Sequence, residues 1–523
     1  MNSIPRKSPD AFQQLQQRLR GQNAVVMGLG SFGGGVAAVR FLINAGARVT
    51  VTDLRSAEQL QSSIAHLHDC PQLQFQLESH PQELFSSCDL LVVNPAIRPD
   101  HPLVELARDH GADITTEIDL FLSGCRGRVV AVTGSNGKST TTALIHHLLN
   151  CSELATQRRI YLGGNIGISL LDQLSEMTAN DIVVLELSSF QLEFLRRQRF
   201  APFVAVMTNF TPNHLDWHRN LSEYHSAKQS LLDFQTADQY AILPAEEGNN
   251  SFSLPRWKVR GRCLRFDLRD DGENGAFLDS GQLILRDDHV SNTQTENNRA
   301  ANSRTRVVAR EDVVRIRIPR QLPGEHNRRN LAAASAAAWV CGVPAEQIAQ
   351  SLDSFQSLPH RLQLIAEYES RRFYDDSIAT TPESAIAAIS SFDGPIILFA
   401  GGYDKQQDLR PLAEAICRRV RLVVLMGQTA EMLETLLTDL APDSGSRPDV
   451  IREENFVQCF EQAMQRSQPG DTILLSPGCA SYGWFRDYRD RADQFREAVE
   501  TWIGTQTVAT SNSKLDSNPS QNH

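Results

Sequence analysis

Apolar residues in this chain gather in short unbroken runs, each closed by glycine or a small polar turn and often followed by helical spacing. NAVVMGLG (23–30) leads into GVAAVRFLINAG (35–46) and then RVTVTD (48–53), which predicts a β-α-β unit. CDLLVVNPAI (88–97) reads as another buried strand with a turn after it. GRVVAVTGSNGKST (127–140) restarts the strand, glycine turn and helix, and DIVVLELSSF (181–190) and FVAVMTNF (203–210) continue it. Runs without polar alternation are expected of parallel strands covered on both faces. From about 245 to 318 the segments become short and polar, and 286–312 reads as a mobile surface insertion. NLAAASAAAWVCGV (330–343) is a strong helix, and after SLPHRLQL the strands RRFYDDS, PIILFAGG, RLVVLMG and DTILLSPG form a third alternation.

The pattern predicts an α/β protein of three domains: a Rossmann-like domain at 21–125, a central P-loop ATPase-like domain at 126–357 and a C-terminal Rossmann-like domain at 358–504. Residues 1–20 read as a polar leader and 505–523 as a disordered tail. The length of 523 residues agrees with about three domains. A formal net charge of −11 argues against nucleic acid as a main partner, which needs clustered Lys and Arg. The nine cysteines are scattered without a CxxC pair, as expected of reduced thiols in the cytoplasm. The N-terminus has no apolar signal core, and no run is long enough to span a bilayer.

Four groups of residues carry candidate chemistry. Gly28-Leu-Gly30-Ser-Phe-Gly33, with Asp53 some twenty residues on, fits a turn that brings backbone to a nucleotide phosphate and an acid to ribose. A purely structural turn and an NAD site both stay open on that pattern alone. AVTGSNGKSTTTALI (131–145) is a phosphate cradle whose first glycine comes late, because position 132 is Val. Backbone N–H groups of residues 134–139 would surround a phosphate, Lys138 would neutralise its oxygens, and Ser139 or Thr140 would ligate Mg²⁺. Glu186, ending a strand, could hold Mg²⁺, and His214 with Asp216 could be a metal ligand and its orienting partner. Lys228 by itself reads as a solvated helix lysine. Later polar breaks (LPGEHNRRN, SLPHRLQL, YDDSIATTPES, GGYDK, SPGCASYGWF) suggest a site shared between domains, with Cys479 a small buried thiol.

Taken in order, GLGSFG, TGSNGKST, GGNIG, ELSSFQLE, NHLDWH, LPGEHN, LPHR, DDS-x-AT, GG-x-DK and SPGCAS closely resemble the Mur ligases over about residues 20–500. ELSSFQLE points within them to the glutamate-adding branch. The resemblance implies an ATP-dependent amide ligase that joins glutamate, most naturally D-glutamate, to UDP-N-acetylmuramoyl-L-alanine through an acyl phosphate in peptidoglycan precursor synthesis. It implies a cytoplasmic monomer that uses ATP and Mg²⁺.

By position, the resemblance gives Gly30, Ser31, Phe32, Gly33, Asp53 and Arg55 to the UDP part, and Asn165 to the muramoyl portion. ATP falls to Gly134, Ser135, Asn136, Gly137, Lys138, Ser139 and Thr140, with Asn327 and Asn330 near adenine and Arg361 and Asp376 near phosphates and ribose. Lys138, Glu186, His214 and Lys228 are the implied catalytic set. Ser139, Glu186, His214 and a carbamylated Lys228 are the implied metal ligands, the last for a second Mg²⁺. Thr380, Lys405, Ser481 and Tyr488 fall to glutamate.

The chain departs from the family in places. The family's N-D-S-K-A-T-N reads Asp375-Asp376-Ser377-Ile378-Ala379-Thr380-Thr381 here, so a lysine has become Ile378. An L-glutamate-adding variant is therefore the alternative, and an NAD(P)-dependent oxidoreductase built on GLGSFG a more distant one. Pro244 replaces an Asn and Ala492 a Gly. A catalytically dead relative would be expected to lose Lys138, Glu186 or His214, and all three are present.

Overall fold

The computed structural model describes residues 10–30, 33–166, 169–215, 217–245, 256–288, 310–319, 322–356, 358–404, 407–444 and 448–516. They divide into two compact units, one within 1–317 and 329–354, the other within 318–328 and 355–523.

The first unit carries two sheets. Strands β1 (Asn23–Met27), β2 (Arg48–Asp53), β3 (Gln74–Leu77), β4 (Leu90–Val93) and β5 (Asp113–Thr115) lie parallel in the order β3-β2-β1-β4-β5. The order reverses at β1, so the GLGSFG turn leaves the sheet at the crevice where such folds bind ligands. The second sheet has nine strands: β6 (Arg128–Thr133), β7 (Ile160–Gly164), β8 (Ile182–Glu186), β9 (Val204–Met207), β10 (Tyr240–Pro244), β11 (Arg262–Asp267), β12 (Gly275–Asp279), β13 (Gln282–Asp287) and β14 (Arg310–Arg315). From β7 to β12 its neighbours run parallel, and β13 and β14 close it as antiparallel strands. The parallel centre is buried on both faces, which is why its strands are continuous apolar runs.

The second unit holds β15 (Gln363–Tyr368), β16 (Arg371–Asp375), β17 (Ile396–Gly401), β18 (Leu422–Met426), β19 (Asp449–Arg452) and β20 (Thr472–Leu475), ordered β15-β16-β20-β17-β18-β19. All its pairings are parallel except β15 with β16.

Three expectations need correction. Much of the polar leader is a packed helix, Ala11–Leu19, with Ala11, Leu15 and Leu19 buried at four-residue spacing on one face. Gly124 makes room for it: a Cβ there would stand 3.2 Å from Leu15 and 3.1 Å from Leu174. The tail is helical through Asp516 because the helix Tyr488–Asp516 continues past 504; each added residue extends an existing helix without a new nucleus. Residues 517–523 lie outside the described residues. The ends of the 286–312 insertion are strand, since Asp287 pairs with Arg310 and Arg286 with Glu311, while 289–309 lie outside the described residues.

Candidate active site

The phosphate cradle forms where β6 gives way to the helix Lys138–Asn150. Its two glycines are required by contact with neighbouring elements. A Cβ at Gly134 would lie 1.9 Å from Thr208 Oγ1, and one at Gly137 (φ 77°) would lie 2.4 Å from Asn330 Oδ1. The loop between them is tied to the segment after β9. Ser135 Oγ donates to Thr211 O at 2.8 Å, the Asn136 N–H donates to Asn209 Oδ1 at 2.8 Å, and Thr208 Oγ1 bonds Asn136 O. Lys138 Nζ donates to Gly134 O at 3.1 Å and Ser135 O at 2.9 Å, so its ammonium lies folded over the loop. Ser139 and Thr140 follow in the helix's first turn and are half-buried.

Glu186 ends β8, one strand over from β6, and is buried. Its Oε1 accepts from Asn165 Nδ2 at 2.7 Å, while Oε2 is buried with no hydrogen-bond partner among the described residues. Asn165 is therefore tied to the candidate metal carboxylate.

Lys228 is not a solvated lysine. It is 1% exposed, its Nζ donating to Gly134 O at 2.8 Å and lying over the Tyr224 ring at 4.7 Å. Burial first, and Lys138 second, hold its ammonium well below the ordinary lysine range, against the pull of Glu186. The helix Leu221–Asp233 places Tyr224 and Lys228 four residues apart on one face, and Tyr224 OH lies 2.9 Å from Ser135 Oγ. That i, i+4 spacing in YHSAK was the signal that could have found Tyr224.

His214 sits in the loop before that helix with a positive φ of 56°, exposed, its ring 4.9 Å from Phe190 and 6.3 Å from Tyr224. Asp216 lies outside the described residues. His218, which sequence reasoning passed over, is buried with Nε2 2.9 Å from Ser189 Oγ.

The residues fit a magnesium ion. Among the described residues no cluster of three or more His, Cys, Asp or Glu is present. Magnesium needs no such cage: one or two carboxylates, hydroxyls, phosphates and water serve it. The orphaned Glu186 oxygen beside a phosphate loop supplies such a carboxylate.

At the first sheet, Gly30 and Gly33 have φ of 72° and 85°, while Ser31 and Phe32 lie outside the described residues. Asp53, buried at the end of β2, accepts from the Leu29 N–H at 3.0 Å and from Arg55 Nη2 at 2.9 Å. Burial pushes its carboxyl up, but the Arg55 hydrogen bonds outweigh that and leave it below the usual range. Asn94, also missed, reaches back from the end of β4 to donate to Gly28 O at 3.3 Å.

In the second unit the loops after β16 and β20 come together. Asp376 is buried, accepting from Leu362 N at 3.1 Å and Ser476 Oγ at 2.7 Å, and burial pushes its carboxyl up to about 7. Arg361 lies in the loop leading to β15, between His360 and Leu362, both at positive φ. Thr380 is half-buried, Ser481 is buried, the Tyr488 ring packs 5.7 Å from His360, and Lys405 lies outside the described residues. Arg491 lies outside every motif read from the sequence. Fully buried, it donates to Ser377 O at 2.7 Å and Cys479 O at 3.2 Å and so joins the two loops. Cys479 is buried, and burial raises its thiol. Asn330 belongs to the first unit, against the cradle; Asn327 belongs to the second, its amide donating to Pro323 O at 2.8 Å.

Family models match in chain order: the MurD-like N-terminal domain of Mur ligases at 22–116, the Mur ligase middle domain at 132–338 and the Mur ligase glutamate ligase domain at 360–479. A UDP-N-acetylmuramoylalanine–D-glutamate ligase from Roseiflexus sp. is 36% identical, covering 93% of this chain and 100% of that protein. The chain belongs to the Mur ligase family. A similarly named ligase of Symbiobacterium thermophilum is 33% identical over 93% of this Mur ligase and 98% of its own length. Among solved structures, UDP-N-acetylmuramate-alanine ligase MurC from Thermotoga maritima has the same fold, with a TM-score of 0.52 at 18% identity over 92% of this chain and 100% of that one. The MurF ligase of Thermotoga maritima, solved with ADP, has a TM-score of 0.50 at 15% identity over 94% and 97%. Among the described residues no helix is long and apolar enough to cross a membrane.

Proposed function

We propose that this Mur ligase joins D-glutamate to UDP-N-acetylmuramoyl-L-alanine at the expense of ATP. The observation that carries the reading is the cradle of 134–140 set beside Glu186, whose buried Oε2 has no partner among the described residues, and Lys228, at the C-terminal ends of the parallel strands of one sheet. The choice of glutamate, and of its D form, is supported by the names of relatives at 36% and 33% identity.

The L-alanine carboxylate attacks the γ-phosphorus of ATP, forming an acyl phosphate and releasing ADP. The glutamate amine then adds to the acyl carbon, loses a proton, and expels inorganic phosphate to leave the amide. The first step brings a carboxylate against a triphosphate, and the main barrier is their repulsion. Lys138, swung from Gly134 O and Ser135 O onto the β/γ oxygens, lowers it, while the backbone N–H groups of 134–139 orient the phosphates. Bound magnesium would supply further charge neutralisation, with Ser139, Glu186 and His214 as its protein ligands. Lys228 would hold the second metal as a carbamate: burial disfavours its ammonium, and the neutral amine would add to CO₂ and lose one proton to leave a carboxylate-like oxygen donor.

Gly30, Ser31, Phe32, Gly33, Asp53 and Arg55 take the UDP moiety, Asn165 the muramoyl portion, Asn327 and Asn330 adenine, and Arg361 and Asp376 the ATP phosphates and ribose. Thr380, Lys405, Ser481 and Tyr488 take glutamate; the domains are 21–125, 126–357 and 358–504, with most of the UDP groups in the first, most of the ATP groups in the second and the glutamate groups in the third. The enzyme works as a cytoplasmic monomer. Phosphate release is measured with ATP, Mg²⁺ and UDP-N-acetylmuramoyl-L-alanine, adding D- or L-glutamate in parallel. Release with D-glutamate is expected; release with L-glutamate alone would transfer the assignment to the L-adding variant that Ile378 suggests, and release with neither would end it.

A further inference from the structure

The loop that carries His214 is fastened to the sugar-nucleotide sheet by side chains that the reaction itself does not use. Trp217 Nε1 donates to Ala96 O at 3.0 Å, across 121 residues of sequence. Arg98 returns the contact: its guanidinium bonds Trp217 O and lies 5.4 Å over the indole ring. Asp100 holds that guanidinium from the other side, with Nε–Oδ1 at 2.9 Å and Nη2–Oδ2 at 3.2 Å, and is itself bonded by Arg219.

Both ends of this bridge lead to proposed binding groups. Ala96 donates its N–H to Asn94 Oδ1 at 3.1 Å, and Asn94 packs under the glycine turn: a Cβ at Gly28 would lie 3.0 Å, and one at Gly30 3.2 Å, from its side chain. At the other end, Trp217 N and His218 N donate to His214 O at 3.2 and 2.8 Å, closing a tight turn on His214 at its positive φ. The Trp217 ring lies 4.6 Å from Phe190, which also packs on His214. A left-handed non-glycine residue persists only where its surroundings hold it, and here the holding group reaches to the other sheet.

We propose that Arg98 and Trp217 are positioning residues that lock the His214 loop to the β4 loop, so that binding of the UDP-sugar acceptor and binding of magnesium–ATP strengthen each other. The inference rests on the proposed function for the identity of the two ligands. Coupling of this kind is reciprocal: whatever factor one ligand adds to the other's affinity, it receives. Each ion pair in the bridge is partly exposed and weak alone. The two-way contact between Arg98 and Trp217 is what makes the loops move as one.

Calorimetric titration tests this on the full chain. UDP-N-acetylmuramoyl-L-alanine and magnesium with a non-hydrolysable ATP analogue are each titrated alone and with the other saturating. Wild type is expected to show a mutual gain of fivefold or more, the ordinary range of such coupling. Arg98→Lys, which keeps the charge but not the forked contact, and Trp217→Phe, which keeps a ring but not the N–H, should each reduce that factor to within twofold of one. Their affinities for either ligand alone should stay within about threefold and their thermal midpoints should not move. Coupling retained in both variants, or absent from wild type, overturns the lock. So does an affinity loss for one ligand with the coupling factor intact, which would mark a local role. Failure of wild type to bind either ligand at all would instead bring down the proposed function on which the lock rests.

Discussion

Asp376→Asn separates a residue's cost to folding from its use in catalysis. The carboxyl is buried, and among the described residues its hydrogen bonds come from the Leu362 N–H and Ser476 Oγ. Burial raises it from an ordinary value of 3.8 to about 7, and the neighbouring Asp375 charge adds to the rise. The native state therefore holds a proton that the unfolded chain gives up between these two values. Stability is intact below pH 4, falls as pH rises toward 7, and stays low above it. At about 1.4 kcal/mol per pKa unit the loss amounts to about 4 kcal/mol. Asparagine avoids the ionisation and keeps both partners: its Oδ1 accepts from Leu362, and its amide donates to the Ser476 hydroxyl, which can reverse its role. Thermal unfolding of wild type and variant at pH 4 and pH 8 gives the comparison. The midpoints should coincide at pH 4, and at pH 8 the variant should melt higher by on the order of 10 °C. Turnover should fall at pH 8, where the wild-type side chain is ionised and the amide offers the nucleotide no carboxylate, and should differ little at pH 4, where both side chains are neutral. A midpoint shift independent of pH, or a destabilised variant at pH 8, would refute the reasoning.

Other outcomes follow from particular contacts. Leu15→Ala should destabilise the first unit by about 2–4 kcal/mol in urea unfolding, because the residue is a buried core leucine within the polar leader. Gly134→Ala should raise the KM for ATP at least tenfold by driving a methyl into Thr208 Oγ1, and Gly134→Ala/Thr208→Ala should recover part of it. Tyr224→Phe, which removes the hydroxyl 2.9 Å from Ser135 Oγ, should cost about 1 kcal/mol, read as a roughly fivefold rise in KM for ATP with little change in KM for the sugar nucleotide.

The central strands of all three sheets were legible because a parallel strand buried on two faces leaves an unbroken apolar run that little else produces, whereas edge strands such as Gln74–Leu77, Asp113–Thr115 and Gln363–Tyr368 are only partly buried and left no such run. Leu15 and Leu19 were not, because glutamines between them made the segment look polar while its four-residue spacing marked a buried stripe. Lys228 was the largest misreading from residues alone. A lysine on a helix is normally solvated, and what buries this one is the carbonyl of Gly134, 94 residues away. The cradle glycines were visible as a motif, but the atoms that require them, Thr208 Oγ1 and Asn330 Oδ1, come from other elements. Arg491 had no local signal, since its partners are two backbone carbonyls.

The late glycine of the cradle follows from sheet register. Val132 pairs with Glu186 on one side and Val206 on the other, so at that position the chain is still a central strand, where glycine would only weaken the sheet. The turn can begin no earlier than Gly134, and there a side chain is excluded by Thr208 from the strand end on one flank. The strand on the other flank ends at Glu186, opposite Val132, so the carboxylate stands at the height where the cradle starts. Lys228 then takes the Gly134 carbonyl, the first acceptor released when β6 ends. A cradle opening two residues earlier would shorten β6 and take Val132 out of register with Glu186. The compact loop is thus what lets a phosphate-binding turn, a candidate metal carboxylate and a buried amine share one sheet edge.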